Sequence, residues 1–385
     1  VEAERRELRR SRRGRSSSAG LDTLTWEQAG PIVSELLRRG GFRGRRVNAA
    51  LPRSMQMIKT LRLPTEAKDE VPQLIAKEAN NAFGVDVTSG EFIVHFLSGD
   101  RLRRTDDQQQ EGLLAIAKRT DVDAFVTSLH DWGAIVDAVD FAPVALFRGI
   151  SRFGRRVRDQ DDVHVLVDIG RMQTQVMIGR GSSISFHKSI GIGGETLNAA
   201  VARKLGLTTG EATLVRRRLN QQARLALAEA PRDADPVEVL ERLEDDPVHH
   251  GINVVTRAVV EDLARELSLC LRYYSVTFRS RPPELFHLCG GVAEDPVLCM
   301  RLKMASAVPM HVHDPLADVV LQDDRTGLHQ PGQWSLATGL AMRKAPQGLA
   351  TSRGVTRDRQ QAADQEAGNV TSPAVTRLTQ ESAHV

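Results

Sequence analysis

Apolar and polar positions alternate most clearly at residues 163–195, where three strand-like apolar runs are separated by glycine-bearing turns. The first run ends in Asp168-Ile169-Gly170, the second leaves through Thr174, and the third, 183–190, ends in Gly191-Ile192-Gly193-Gly194. A strand, a glycine turn and a strand predict a β-hairpin whose backbone N–H groups can converge on an anion. By itself, the Asp168-Ile169-Gly170 motif is equally compatible with a plain turn that closes a buried strand.

Upstream of this stretch, the hydrophobic period switches repeatedly between that of strands and that of helices. A helix is expected from a Thr25/Gln28 capping pair to Gly40, with Pro31 in or near its first turn, and a strand at 46–51 follows. The next part has a β-α-β-β-α pattern, with strands at 57–63, 92–97 and 113–117, helices at 71–82 and 122–129, and a polar break at 100–110. This pattern predicts a small α+β module inserted into a larger domain, which continues with a strand at 135–139 and a helix at 143–152.

Downstream, helices are predicted at 197–205, closed by Gly206, and at 209–230, followed by a polar, acid-rich and peripheral segment at 231–250. The strongest helix in the sequence is 259–278, whose apolar side chains recur at helical spacing along one face. A short strand at 285–288 then runs into Cys289-Gly290-Gly291, followed by a helix at 297–304, a strand at 308–312 and a helix at 334–342. We expect a disordered basic arm at 1–20 and a disordered tail at 345–385.

Composition narrows the class of protein. The 385 residues are 41% hydrophobic and 26% charged with a net charge of +3, which is typical of a globular protein without a nucleic-acid partner. No apolar run approaches the roughly 20 residues of a membrane span, and no signal peptide is expected. The three cysteines lie in apolar patterns and are expected to be reduced core residues of a cytoplasmic protein.

Three glycine-bearing stops after apolar strands indicate a nucleotide-binding cleft. A carboxylate such as Asp168 at the end of a strand can hold Mg²⁺ or an attacking water. Gly193 and Gly194 at a helix N-terminus favour phosphate, and Gly290-Gly291 can form a flat platform for a ribose or purine. Each of these glycine-bearing segments alone can be an ordinary turn, but three of them in this order are much harder to interpret as ordinary turns.

Specific motifs across residues 21–344 resemble the actin-like ATPases, and within them the proteins that assemble type IV pili. The matching segments include Val139-Asp140-Phe141-Ala142-Pro143, Val167-Asp168-Ile169-Gly170 with Thr174, Ile192-Gly193-Gly194-Glu195, Leu271-Arg272-Tyr273-Tyr274, Cys289-Gly290-Gly291 and Ala337-Thr338-Gly339-Leu340. The resemblance implies an α/β, actin-like (RNase H-like) two-domain fold with an inserted α+β subdomain of the 1C type. The cell-division ATPase FtsA is the alternative, disfavoured because the tail has no amphipathic membrane helix.

The resemblance also implies a division of the chain. It places a partial first domain at 21–54 and 134–154, the inserted subdomain at 55–133, the second domain at 163–205 and 259–344, and a helical subdomain at 206–258. The family opens with a first phosphate hairpin that nothing in residues 1–47 matches, so the first domain is expected to be incomplete in this sequence.

The site residues are likewise carried over from the resemblance. The cofactors would be ATP and Mg²⁺, with Asp168 as the catalytic and metal-binding residue. The residues expected to contact the nucleotide are Gly170, Gln173, Thr174, Gly193, Gly194, Glu195, Gly290 and Gly291. The turn departs from the family by carrying Arg171 and Met172 where small residues would let phosphate approach, so weak ATPase activity at most is expected.

The function that follows is a cytoplasmic, ATP-binding scaffold of type IV pilus or related secretion machinery. Its expected partner is a short cytoplasmic peptide of a PilN-like inner-membrane pilus protein, docked on the inserted subdomain, which would hold the scaffold at the inner face of the membrane. Pilus motor ATPases and a second copy of the chain are further possible partners. The alternatives are a nucleotide-free pseudo-ATPase scaffold and a true ATP-hydrolysing or phosphotransferase enzyme. No metal site is expected at His311 and His313, for want of a third ligand, and His249-His250 are expected in a solvated loop.

Overall fold

The fold was analysed in a computed structural model of the chain. The structure describes residues 26–40, 42, 44–64, 71–102, 109–151, 163–181, 183–231, 233–243, 246–278, 283, 285–306, 308–317 and 331–343. The arm expected at 1–20 and the tail expected at 345–385 lie outside these residues.

The described residues form ten α-helices and ten strands. The helices are α1 (Trp26–Arg39), α2 (Val71–Phe83), α3 (Arg119–Asp131), α4 (Ala142–Ser151), α5 (Gly194–Leu205), α6 (Thr209–Glu229), α7 (Pro236–Arg242), α8 (Pro247–Phe278), α9 (Pro296–Ala305) and α10 (Ser335–Ala341). The strands are β1 (Arg46–Ala50), β2 (Met57–Pro64), β3 (Phe92–Leu102), β4 (Gln109–Lys118), β5 (Ile135–Asp140), β6 (Val163–Ile169), β7 (Thr174–Arg180), β8 (Ser183–Ile190), β9 (Leu285–Cys289) and β10 (Met310–Val312).

A five-stranded sheet in the order β10-β9-β6-β7-β8 forms the centre of the molecule. Strands β10, β9 and β6 are parallel, whereas β6, β7 and β8 are antiparallel. The sheet is buried on both faces, which is why β6 and β7 are almost continuously apolar. One face packs on α5, α8 and α9 around Leu263 and Tyr274, and the other packs on α4 around Phe147.

The N-terminal half holds two smaller sheets. Strands β1 and β5 pair in parallel, and their sheet packs against α3 through Leu51, Phe125 and Leu129. Strands β2, β4 and β3 form an antiparallel sheet in that order, covered by α2 through Ile75 and Ala79. The predicted β-α-β-β-α order of the inserted module is therefore present in the structure.

Several predicted boundaries were wrong for identifiable reasons. The polar break predicted at 100–110 is shorter in the structure, because β3 and β4 pair as far as Leu102 and Gln109. The hydrogen bonds between strands use backbone groups, so polar residues can form them as well as apolar ones. Pro31 is the sixth residue of α1, near the first turn as predicted. Helix α5 begins at Gly194 and not near Leu197.

The segment 231–250 was predicted to be polar and peripheral, but it is largely helical. Helix α7 lies within it, and the 32-residue α8 begins at Pro247, twelve residues before the predicted start. The Asp246 side chain accepts a hydrogen bond from the amide of Val248 and caps α8. His249 is therefore a buried helical residue, whose Nδ1 lies 2.8 Å from the Leu243 carbonyl oxygen, and not a solvated loop residue as expected.

Helices α4 and α10 cross in close contact and join the two halves of the chain. A Cβ atom at Gly339 would overlap the Ala145 carbonyl oxygen, so only glycine allows this approach. The Arg148 guanidinium donates to the Gly339 carbonyl oxygen at 3.0 Å and to Asp140 at 2.8 Å. The crossing therefore fixes the end of β5 against α10.

No helix among the described residues combines the length and the apolar character needed to span a membrane. The three cysteines are buried and none forms a disulfide bond.

Candidate functional site

The predicted hairpin is present, and its turn follows directly from the sequence. Strands β6 and β7 pair antiparallel from Val163 with Arg180 to Ile169 with Thr174. The Gly170 amide closes the turn by donating to the Gln173 carbonyl oxygen at 3.0 Å. Arg171 and Met172 occupy the two central positions and are exposed. The turn projects from the carboxyl end of β6, where ligands bind in open α/β sheets.

Asp168 lies at this end of β6, beside β9, and its carboxylate forms an ion pair with Arg53. Arg53 belongs to a short 3₁₀ helix after β1, so the pair bridges the N-terminal half of the chain and the central sheet. Burial raises the pKa of Asp168 above its ordinary value, and the charge of Arg53 opposes that rise. Within the described residues, the group that faces the Asp168 carboxylate is therefore a guanidinium, which sequence reasoning missed.

The N-terminus of α5 is packed onto the hairpin turn. The Gly194 amide donates to the Gly170 carbonyl oxygen at 3.1 Å, and the Glu195 amide donates to the Arg171 carbonyl oxygen at 2.7 Å. A Cβ at Gly193 would lie 2.7 Å from the same turn backbone, so glycine is needed for this approach. Two amides of the helix N-terminus that were predicted to face phosphate are thus already occupied by protein carbonyl groups.

Two other predicted site residues make contacts within the protein. The Thr174 hydroxyl is buried and donates to the Ile192 carbonyl oxygen at 2.7 Å, which ties β7 to the segment before α5. The Glu195 carboxylate pairs with Arg171 at 3.3 Å, at a partly exposed position. The charge of Arg171 is therefore paired with a neighbouring carboxylate. This ion pair lies on the side of the turn that was expected to admit phosphate.

Gly290 and Gly291 follow β9 and meet the hairpin at the same sheet edge. Gly290 has a φ of +94°, and a Cβ there would lie 2.6 Å from the Ile169 carbonyl oxygen and would overlap the Asp168 carboxylate. The Val292 amide donates to the Ile169 carbonyl oxygen at 3.1 Å. Gly291 is exposed, and a Cβ there would meet nothing within 4 Å. The loop therefore seats against Asp168 while presenting a flat, open backbone at Gly291.

A buried polar network holds the walls of the site together. Arg216 of α6 pairs with Asp295 at 2.9 Å and donates to the Asn198 side chain at 2.7 Å. Asp295 also caps α9 by accepting from the Leu298 amide at 3.1 Å. Arg216 was not predicted as a site residue. The signal available in the sequence was its place on the same face as Ala212 and Ala223, which are also buried.

The predicted residues are thus brought to one edge of the central sheet. Asp168 and Gly290 touch, Gly170 lies in the adjoining turn, and Gly193 and Gly194 pack on that turn. Gln173 is in the same turn and contributes its carbonyl oxygen to Gly170. The arrangement combines a carboxylate that is paired with Arg53, a glycine-bearing loop and a helix N-terminus at one edge of the sheet.

Comparison with known proteins identifies the class of fold. A solved structure described as the PilM-PilN type IV pilus biogenesis complex is 20% identical, has a TM-score of 0.64, and aligns over 86% of this chain and 89% of that chain. Weaker similarities include ethanolamine utilization protein EutJ from Carboxydothermus hydrogenoformans, at 16% identity, a TM-score of 0.37, and 56% and 59% coverage. MreB5 of Spiroplasma citri bound to AMPPNP is 13% identical, with a TM-score of 0.37 and coverage of 58% and 63%. No curated protein sequence matches the chain.

The expected actin-like α/β fold is therefore confirmed. A family model described as type IV pilus assembly protein PilM matches residues 23–223, which is more than half of the chain. The chain belongs to the PilM family of type IV pilus assembly proteins.

Proposed function

We propose that the protein is an ATP-binding scaffold of type IV pilus or related secretion machinery that hydrolyses ATP weakly at most. Its inserted subdomain, residues 55–133, binds a short cytoplasmic peptide of a PilN-like inner-membrane protein. That peptide holds the scaffold at the cytoplasmic face of the membrane. Membership of the PilM family supports the assignment to pilus assembly.

One observation carries the proposal of nucleotide binding. The Asp168 hairpin and the Gly290-Gly291 loop meet at the carboxyl ends of the adjacent parallel strands β6 and β9. The open backbone at Gly291 can accept the flat face of a base or ribose, and Arg171 on the exposed turn can offer its charge to phosphate if it leaves Glu195. In this proposal Gly291 is the adenosine contact, and Gly170 and Gln173 supply the turn beside the phosphates.

Weak hydrolysis follows from the state of Asp168 and of α5. The Asp168 side chain is 10% exposed and paired with Arg53, so Mg²⁺ must displace a guanidinium before that carboxylate can bind it. The amides of Gly194 and Glu195 must release the hairpin turn before they can bind phosphate. These contacts favour binding without efficient turnover, and they are also the observation behind the alternative of a nucleotide-free pseudo-ATPase scaffold.

Calorimetric titration of the full chain with Mg-ATP tests the nucleotide site. We expect saturable binding that is lost in Gly291→Val, because a branched side chain would cover the open platform. Gly251→Val serves as the matched control, since that glycine lies on α8, away from this edge of the sheet. Absence of heat in the parent protein, with the fold intact, would establish the pseudo-ATPase alternative.

Turnover separates the scaffold from a true enzyme. We expect a slow rate of ATP hydrolysis, and we expect Arg53→Ala to raise the rate or the Mg²⁺ affinity by freeing Asp168. A rate that is already fast in the parent protein and is abolished by Asp168→Ala would favour the enzymatic alternative instead.

The docking proposal rests on a groove beside β2, which is an edge strand of the inserted sheet. The groove lies between β2, β8 and α8 and has a volume of about 560 Å³, and the His187 amide of β8 donates to the Thr60 hydroxyl of β2 at 3.0 Å. Lys59 is exposed on one wall, and Tyr273, 51% exposed, stands on the other against Phe186. An edge strand beside an aromatic side chain suits an extended peptide, which adds backbone hydrogen bonds to the edge and places side chains in the groove.

Fluorescence anisotropy with a labelled cytoplasmic peptide of a PilN-like protein tests the docking site. We expect the affinity to fall at least tenfold in Lys59→Glu and in Tyr273→Ala, since both change the walls of the groove. Lys77→Glu is the matched control, because Lys77 is exposed on α2, away from the groove. Binding that is unaffected by the first two substitutions would place the peptide elsewhere, and a failure of the parent protein to bind would overturn the scaffold function.

A further inference from the structure

Four histidines lie on one face of three neighbouring strands of the central sheet. His287 of β9 is directly opposite His311 of β10, and His164 of β6 is opposite Leu285, two residues from His287. His313 follows β10, and its amide donates to the Leu288 carbonyl oxygen at 2.7 Å, which continues the strand register. Since side chains alternate along a strand, these positions share one face of the sheet.

The rings converge around His287. Its ring centroid lies 4.6 Å from that of His311, 5.9 Å from that of His313 and 5.7 Å from that of His164. One ring nitrogen from each of His287, His311 and His313 lies within 4.8 Å of the other two. The expectation that His311 and His313 lack a third ligand was therefore wrong, because parallel pairing of β9 and β10 brings in a histidine 24 positions away.

One ring nitrogen of His287, Nδ1, is buried without a hydrogen-bond partner among the described residues. Burial and, to a smaller extent, the neighbouring His311, His164 and His313 together lower the pKa of His287 to about 3. Burial also lowers the pKa of His311, helped by Lys303. The His287 ring is therefore largely desolvated and lies beside three other imidazoles.

We propose that His287, His311 and His313 bind one divalent transition-metal ion, with Zn²⁺ as the expected occupant. Imidazole nitrogen suits Zn²⁺, and three histidines with an open fourth position form a recurrent zinc coordination set. An ion there uses three side chains whose ring nitrogens already lie close together. The site lies on the strands of the central sheet and uses none of the residues proposed to bind nucleotide.

The geometry requires only a small closure. In a tetrahedral site with Zn–N distances of about 2.0–2.1 Å, the ligand nitrogens lie about 3.3 Å apart. The nitrogens of the three rings therefore need to approach by at most about 1.5 Å, which side-chain rotation provides because His287 and His311 are not fully buried. His313 is 4% exposed, so it is the fixed ligand around which the other two adjust.

Metal binding here would act on the edge of the central sheet. Strand β10 has only three residues and pairs on one side alone. An ion that joins β9 and β10 would hold this short strand in register, and β9 leads directly into the Gly290 loop. We expect the bound ion to stabilise this edge of the sheet without involving any residue proposed to bind nucleotide.

The test is a Zn²⁺ titration of the tag-free full chain, after treatment with a chelator, in competition with a chromophoric zinc indicator. We expect one high-affinity equivalent with a micromolar or tighter Kd. In His287→Phe and in the double variant His311→Gln/His313→Gln, we expect affinity to fall about 100-fold. His250→Gln is the matched control, because the chain has 11 histidines and His250 is an exposed one on α8.

Two further measurements keep the proposal falsifiable if a variant folds poorly. Co²⁺ bound to the parent protein should give the intense visible absorption of a four-coordinate site, and the thermal unfolding temperature should rise with Zn²⁺ in the parent and the His250→Gln variant alone. Absence of a high-affinity equivalent in the parent protein would overturn the proposal. So would an equivalent that survives in the double variant with its affinity unchanged, since the metal would then be bound by other histidines.

Discussion

Replacement of Gly290 by alanine is the most direct test of how the candidate site is built. Gly290 joins β9 to the loop that seats against Asp168, and its φ of +94° is a conformation that L-residues rarely adopt. A Cβ at this position would overlap the Asp168 carboxylate and would lie 2.6 Å from the Ile169 carbonyl oxygen. The substitution therefore adds backbone strain and steric overlap at the point where the two halves of the site touch.

The expected loss of stability can be worked from these two effects. A left-handed conformation costs a residue other than glycine about 1–2 kcal/mol. Overpacking against neighbours that cannot move freely costs about 1–3 kcal/mol more. Ile169 belongs to β6 and is buried, so its carbonyl oxygen cannot retreat. The sum is a loss of roughly 2–5 kcal/mol, equivalent to a fall of about 2–6 °C in the unfolding temperature of a protein of this size.

The assay is thermal and urea unfolding followed by circular dichroism, with Gly291→Ala as the matched control. Gly291 is the next residue, but its φ is not positive, and a Cβ there meets nothing within 4 Å. We expect Gly291→Ala to change stability by less than about 1 kcal/mol. Equal stability of the two variants would refute the described contact between the Gly290 loop and Asp168.

Three further predictions concern the packing, the buried network and the pH dependence. Gly339→Ala should destabilise the protein by about 1–3 kcal/mol in urea unfolding, because its Cβ would overlap the backbone of α4, whereas Gly251→Ala on α8 should stabilise it by about 0.4–1 kcal/mol. Arg216→Met should cost about 3–5 kcal/mol, because it leaves a buried carboxylate without its partner, whereas Arg218→Met at an exposed position of the same helix should cost less than about 0.5 kcal/mol. Burial lowers the pKa of His187 from 6.5 to about 4, so His187 takes up a proton in the unfolded chain at a higher pH than in the folded protein. The free energy of unfolding should therefore fall by about 2 kcal/mol between pH 7 and pH 5, and His187→Gln should reduce this loss.

Each of these has a result that would contradict it. Equal effects of the two glycine substitutions would mean that α4 and α10 do not cross as closely as described. An unchanged stability of Arg216→Met would mean that the pair with Asp295 is solvated. A pH dependence that is the same with and without His187 would assign the proton uptake to other histidines.

Local pattern was sufficient for most of the secondary structure. The three strands of the stretch 163–190 were predicted within two residues of their observed ends, because a strand buried on both faces has a long apolar run bounded by turn residues. Prediction failed where the pattern was polar. Helix α8 was begun twelve residues late, because the buried face of its first turns contains His249 and Thr256, which read as surface residues.

The candidate site divides in the same way. The glycine positions could be predicted because a tight turn or a close backbone approach requires glycine, and glycine is visible directly in the local sequence. The partners of the polar side chains could not. Arg53 and Asp168 are 115 positions apart and Arg216 and Asp295 are 79 apart, and nothing local in the sequence pairs them.

The sequence by itself therefore determined the α/β architecture, the β-α-β-β-α order of the elements after β1, the glycine-bearing turns after β6 and β9, and the resemblance to actin-like ATPases. These depend on hydrophobic period and backbone conformation, which neighbouring residues encode. Only the tertiary structure decided that Asp168 faces Arg53, that two amides at the start of α5 are occupied by the hairpin turn, and that His287 joins His311 and His313. Such contacts depend on which strands and helices become neighbours in space, and that is set by the packing of the whole chain.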